Sequence, residues 1–324
     1  MRACTESYDS PIKSMYYLVA GVTVFSLQDV IIKWISGRYP VNEVVFIRSC
    51  FAILPILFIA HLEGGLHVLR TNHFWGHIFR VIFMFGAYIC YYLSLAALPL
   101  AETVSIFFSA PIFITIFSAV LLGEKVEVRS WIAVLAGFLG VIVMLKPGSE
   151  MIDPAALLAL FSALFYATGS IITRRLGKTE SGVSMTFYVA VMYIVFSSLF
   201  TLVLNNMTVS SKHHPSFAFL FREWCLPSPG DTFLLMLTGL IAASGFYFLA
   251  QAYRLAQPST IAPFEYIAVP LSVVWGYLFF KDTLAFQSVA GMILIVGSGL
   301  FIFGSKKGLI NRFKLSMFKA KIKR

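Results

Sequence analysis

Ten apolar runs, each about twenty residues long and parted by short polar breaks, fill the chain from residue 15 to residue 304. A helix rising about 1.5 Å per residue needs about 20 apolar residues to cross the hydrocarbon of a bilayer. The runs lie at 15–35, 41–60, 74–98, 100–122, 129–146, 154–175, 183–205, 231–255, 258–280 and 284–304. They predict an all-α integral membrane protein with ten transmembrane helices. The third and fourth runs nearly meet at Leu98-Pro99-Leu100. The proline, and a joint length far beyond one crossing, make them two. Composition agrees, since 59% of the 324 residues are hydrophobic and only 12% charged. Soluble domains carry about 25% charged residues.

Lys and Arg concentrate on the cytoplasmic side of membrane proteins. With the N-terminus inside, eighteen of them fall on that side and six outside. Eight of the eighteen stand in the last nineteen residues, without an acid among them. Without that tail the contrast is still ten to six, so the expected topology is N-in, C-in. The tail suits anionic lipid headgroups better than nucleic acid. Leu309, Phe313 and Met317 recur there at helical spacing, as in a helix lying on the membrane. The first fourteen residues are polar, and the first apolar run is expected to remain as an anchor. Asn206-Met207-Thr208 is formally a glycosylation sequon, taken as a chance match.

The two halves resemble each other. Ala110-Pro111 through Leu122-Gly123-Glu124-Lys125 has a counterpart in Val269-Pro270 through Phe280-Lys281-Asp282-Thr283, about 158 residues later. Each pattern is followed by a final run rich in small residues, such as Ala133, Gly137 and Gly140 or Gly291, Gly297 and Gly299, which let helices pack closely. Five spans per half is an odd number, so the second half enters the membrane in the opposite sense. The predicted organisation is a short cytoplasmic segment (1–14), a first five-helix repeat (15–146), a second inverted one (154–304) and a basic tail (305–324). Inverted repeats are an architecture of alternating-access transporters, with the solute held near the midplane between the halves.

The same residues carry a family resemblance. Leu121-Leu122-Gly123-Glu124-Lys125 and Phe279-Phe280-Lys281-Asp282-Thr283 end the fourth and ninth spans. Phe25-Ser26-Leu27-Gln28-Asp29, Lys33, Tyr39-Pro40 and Phe46-Ile47-Arg48 open the chain. Together, over residues 17–304, they resemble the EamA type of the drug/metabolite transporter superfamily. Lys281-Asp282 departs conservatively from the usual Gly-Glu. The resemblance implies secondary transport of a small organic metabolite across the bacterial inner membrane. Riboflavin-like vitamins, S-adenosylmethionine and amino-acid-like solutes are the substrate classes it suggests, with export of amino acids or amine and drug-like compounds as the alternative.

A charge at the bilayer centre costs roughly 2.5–3.5 kcal/mol on insertion scales, so each needs a partner or a purpose. Asp29 and Arg48 lie at similar depth on adjacent spans and can meet, with Lys33 and Glu43 as a second rung. They either lock spans 1 and 2 together or face the solute. Glu265 stands among Pro258, Pro263 and Pro270, where interrupted hydrogen bonding marks a broken helix of the kind that lines transporter pathways. It is a candidate for proton coupling or for binding a cation, against a static pairing with Arg80 or Arg254. Pro111 marks a matching break in the first half. Phe264, Tyr266, Tyr91 and Tyr247 are candidates for stacking on a flat ring, the last two matching across the repeat. Gln28, Ser109 and Gln251 can add hydrogen bonds.

The four cysteines and six histidines are scattered without ligand spacing, and no Walker-type glycine loop appears. No metal, cofactor or catalytic residue is expected. The expected partners are a small-molecule substrate and membrane lipids, with a homodimer left open and nucleic acid excluded. A lipid-modifying enzyme would want clustered acids or His/Asp pairs at one membrane face. A channel would want a filter built from an oligomer.

Overall fold

The computed structural model describes residues 11–145, 154–205 and 214–281, with isolated positions between 290 and 301. Most of the tenth span, the sequon, the first ten residues and the basic tail lie outside the described residues. All regular structure among the described residues is helical.

Helices α1 (Pro11–Ile35), α2 (Val41–Leu62) and α3 (Phe74–Ala97) are continuous. The fourth span is divided into α4 (Leu100–Phe107) and α5 (Ala110–Leu122), and α6 (Val128–Leu145) follows. The second half repeats the plan with α7 (Pro154–Leu176), α8 (Gly182–Asn205) and, after a short α9 (Pro215–Phe221), α10 (Pro229–Leu255). Its fourth span is again divided, into α11 (Pro258–Ile261), a 3₁₀ turn (Ala262–Ile267) and α12 (Ala268–Phe280). Among the described residues, eight spans are long and apolar enough to cross a membrane. The apolar stretch of α6, Val128–Gly140, is shorter. Leu54, Phe58, Trp75 and Val120 are mostly exposed on the outer surface. So large an apolar surface suits lipid contact and not water.

Proline placement explains both divided spans. Pro111 sits in the first turn of α5, where its missing N–H costs nothing, so the break falls just before it at Phe108–Ser109. Pro258 opens α11, and Pro263 falls inside the 3₁₀ turn. Pro270 lies in the first turn of α12, and that helix runs on to Phe280 uninterrupted.

The packing is reciprocal. α1 of the first half runs along α10 of the second, and α7 of the second runs along α3 of the first. The close contacts match as well. Phe25 on α1 lies over Gly245 of α10, where a Cβ would come within 2.7 Å of its ring. Phe165 on α7 lies over Gly86 of α3, where a Cβ would come within 3.0 Å. The two broken spans also end alike. Gly123 (φ 64°) and Lys281 (φ 59°) are both left-handed, and each sends its N–H to the carbonyl five residues back.

Candidate functional site

A central cavity of about 150 Å³ lies between the halves, walled by α1, α3, α4, α7, α10 and the 3₁₀ turn. The broken spans supply Phe107, Phe108 and Glu265 to it, from equivalent points of the two repeats. Irregular backbone at membrane depth is tolerated where it is buried in protein or lines an internal space, as these breaks do.

Two carboxylates face this space, Glu265 buried and Asp29 half-buried, and each is held by two tyrosines. Asp29 on α1 accepts from Tyr91 at 3.0 Å and from Tyr92 at 2.8 Å, both on α3. Glu265 Oε1 accepts from Tyr166 on α7 at 2.7 Å and from Tyr253 on α10. Its Oε2 is buried without a hydrogen-bond partner. Phe107 links the clusters, its ring centroid 5.1 Å from that of Tyr91 and 5.4 Å from that of Tyr166. The result is an aromatic space with a carboxylate in each of its two tyrosine clusters. Such a space can stack a flat ring and meet a cationic or N–H donor group.

Asp29 and Arg48 do not pair directly. Arg48 lies behind the cavity wall, its Nη1 donating to Gln28 Oε1 at 3.1 Å. Gln28 Nε2 donates to Tyr92, which in turn donates to Asp29, so two side chains stand between the charges. The guanidinium instead stacks 4.0 Å from the Tyr88 ring. The second rung is absent too. Glu43 accepts from the Cys225 N–H at 3.2 Å, while Lys33 donates to the carbonyls of Leu95 and Leu98. In both cases similar depth brought the residues level, but rotation about the helix axis aims them at different neighbours. Nor does Glu265 pair with Arg80 or Arg254. Arg80 bonds Thr173 and Met185, and Arg254 bonds Gly177 and Gln251.

Of the residues singled out in the sequence, Gln28, Asp29, Tyr91 and Glu265 line the cavity together. Tyr247 does not. Its hydroxyl meets Glu63, which Gln251 also approaches at 3.4 Å. The true counterpart of Tyr91, at the 158-residue offset, is Leu249, and both line the cavity. Tyr266 is buried and donates to the Val134 carbonyl, tying the 3₁₀ turn to α6. Phe264 packs in an apolar cluster around α1 and α5, and Ser109 is buried at the fourth-span break. The residues missed are on α7. Ser162, Tyr166, Ser170 and Thr173 form one polar stripe at helical spacing along the cavity, a signal visible in the sequence once sought.

Sequence comparison bears on what this cavity serves. A model of the "EamA-like transporter family" matches residues 12–146 and again 153–304. The chain belongs to the EamA-like transporter family. It is a multi-pass integral membrane protein and a small-molecule transporter. Among curated members it is 31% identical over 292 residues to a "Riboflavin transporter" of Rhizobium johnstonii, covering 89% of this chain and 90% of that one. It is 27% identical to an "S-adenosylmethionine uptake transporter" of Rickettsia conorii (89% and 91% covered). It is also 27% identical to the "Pseudopaline exporter CntI" of Pseudomonas aeruginosa (88% and 93% covered). A solved structure described only as "Crystal structure of protein" shares the fold, with a TM-score of 0.69 at 17% identity over 91% of this chain and 97% of that one.

Proposed function

We propose that this EamA-type chain is a secondary transporter of the bacterial inner membrane. It carries a small organic metabolite with a flat ring by alternating access between its inverted halves. Ten helices with both termini on the cytoplasmic side give it that plan. One observation carries the reading. The interrupted fourth span of each half contributes to a single aromatic cavity, and one of those breaks presents Glu265 with a free carboxylate oxygen. Helix breaks at matching points of two repeats are where substrate and coupling-ion sites form in such carriers. A riboflavin-like vitamin, S-adenosylmethionine or an amino-acid-like solute fits an aromatic space with carboxylates, and Glu265 is the candidate proton-coupling group. The second reading, export of an amine-bearing compound, is favoured by the exporter among the relatives.

The test compares metabolite levels inside and outside cells expressing the chain, cells expressing Glu265→Gln and empty cells. One metabolite redistributed only by the intact chain is the expected result, and its direction separates uptake from export. An equal shift by both forms, with the same response to external pH, would remove Glu265 from coupling. No shift by either form, with membrane insertion verified, would count against the transporter reading.

A further inference from the structure

Arg80 on α3 is buried and lines the cavity beside the α7 stripe. Its Nε donates to Thr173 Oγ1 at 2.7 Å and its Nη1 to the Met185 carbonyl at 3.0 Å. Both acceptors are neutral, and among the described residues no carboxylate lies within ion-pair distance of the guanidinium. The buried acids of this region are engaged elsewhere. Glu180 accepts from Thr71 and Ser184 and faces His77, while Glu265 accepts from its two tyrosines.

A guanidinium stays charged in proteins, and burying a charge without its counter-charge is costly. An ionisable side chain kept inside a membrane protein at that cost is by default functional. Glu265 presents the opposite case, an acid whose Oε2 has no partner. The residues that hold the two, Tyr166 for Glu265 and Thr173 for Arg80, are seven positions apart on α7. That is two turns, or about 10 Å along the axis. Tyr88, Tyr193 and Tyr253 are among the side chains lining the cavity they share.

We propose that Arg80 and Glu265 form a bipolar clamp. Arg80 takes a carboxylate or phosphate group of the solute, and Glu265 takes a cationic or N–H donor group. The solute class is therefore zwitterionic, with a flat or apolar body spanning the tyrosines. The clamp rests on the transporter reading of the cavity given above.

The full chain in lipid nanodiscs would be titrated calorimetrically with three matched pairs that differ in one acidic group. These are S-adenosylmethionine and its decarboxylated form, tryptophan and tryptamine, and riboflavin 5′-phosphate and riboflavin. The first two pairs test a carboxylate, the third a phosphate. In at least one pair the acidic member should bind roughly ten- to hundredfold more tightly, the range of a charge-assisted bidentate contact. Arg80→Gln should erase that preference and Arg80→Lys should keep part of it. Equal binding within every pair, or a preference that survives Arg80→Gln, overturns the clamp while leaving the transporter reading intact. If Arg80→Gln does not fold, the wild-type pairs and Arg80→Lys still decide, since a preference unchanged by Lys also counts against a forked contact. No binding by any of the six overturns the clamp and the cavity reading together.

Discussion

The guanidinium carbon of Arg48 sits 4.0 Å from the centre of the Tyr88 ring, with Tyr193 and Phe246 each 5.6 Å away. Three aromatic rings thus stand in for the carboxylate that a buried arginine usually finds, and a desolvated cation–π contact is worth about 2 kcal/mol. A double-mutant cycle with Arg48→Met and Tyr88→Leu, read by thermal unfolding in detergent, should give a coupling of about 1–2 kcal/mol. Strict additivity would mean the stacking is incidental.

The tyrosine pair on Glu265 should be needed for flux more than for folding. Tyr166→Phe and Tyr253→Phe each remove one hydroxyl donor and leave the ring in place. Each is expected to slow transport about three- to twentyfold, matching the ~0.6–1.7 kcal/mol of hydrogen bonds inside membranes. The double variant should fall to the level of Glu265→Gln. Initial-rate uptake or efflux in vesicles checks this, and wild-type rates for both single variants would detach the tyrosines from the carboxylate's role.

Gly239 marks where α10 touches α2 without a side chain between them. A Cβ there would meet the Arg48 carbonyl oxygen at 2.7 Å and Phe51 Cβ at 2.6 Å. Backbone on one side cannot swing away, so Gly239→Ala must push the helices apart. The expected loss is about 1–3 kcal/mol, as for other overpacked interiors. A melting temperature equal to wild type would contradict the contact.

Lys281 carries a left-handed backbone that its repeat partner Gly123 adopts without strain. Lys281→Gly should therefore stabilise the chain, by up to about 1 kcal/mol. Gly123→Lys should cost a similar amount. Melting curves of the two reciprocal variants would settle the sign.

Much of this architecture was legible in the sequence because it is written in apolar run length and in proline. Ile35, Leu122, Leu255 and Phe280 end their helices where the hydrophobic runs stop. The equivalence of Gly123 with Lys281 follows from the offset alone. The site was legible only in part. Asp29 and Glu265 stand out because charge in a membrane is conspicuous, whereas Tyr166 is one hydroxyl in an apolar helix. The Asp29–Arg48 pairing failed because depth is readable from helical rise but facing is not. Tyr247 failed because an offset of 156 in place of 158 turns a helix by more than half a revolution.

The reciprocal seating of α1 on α10 and of α7 on α3 has a consequence for biosynthesis. When the ribosome has finished the first half, the faces of α1 and α3 that will meet the second half are still bare, and their glycine notch and phenylalanine knob have nothing to engage. The half released early is therefore an unfinished clasp that must wait in the lipid until α10 emerges. A chain severed between Leu145 and Pro154 would regain its form only when both pieces are made together in one membrane.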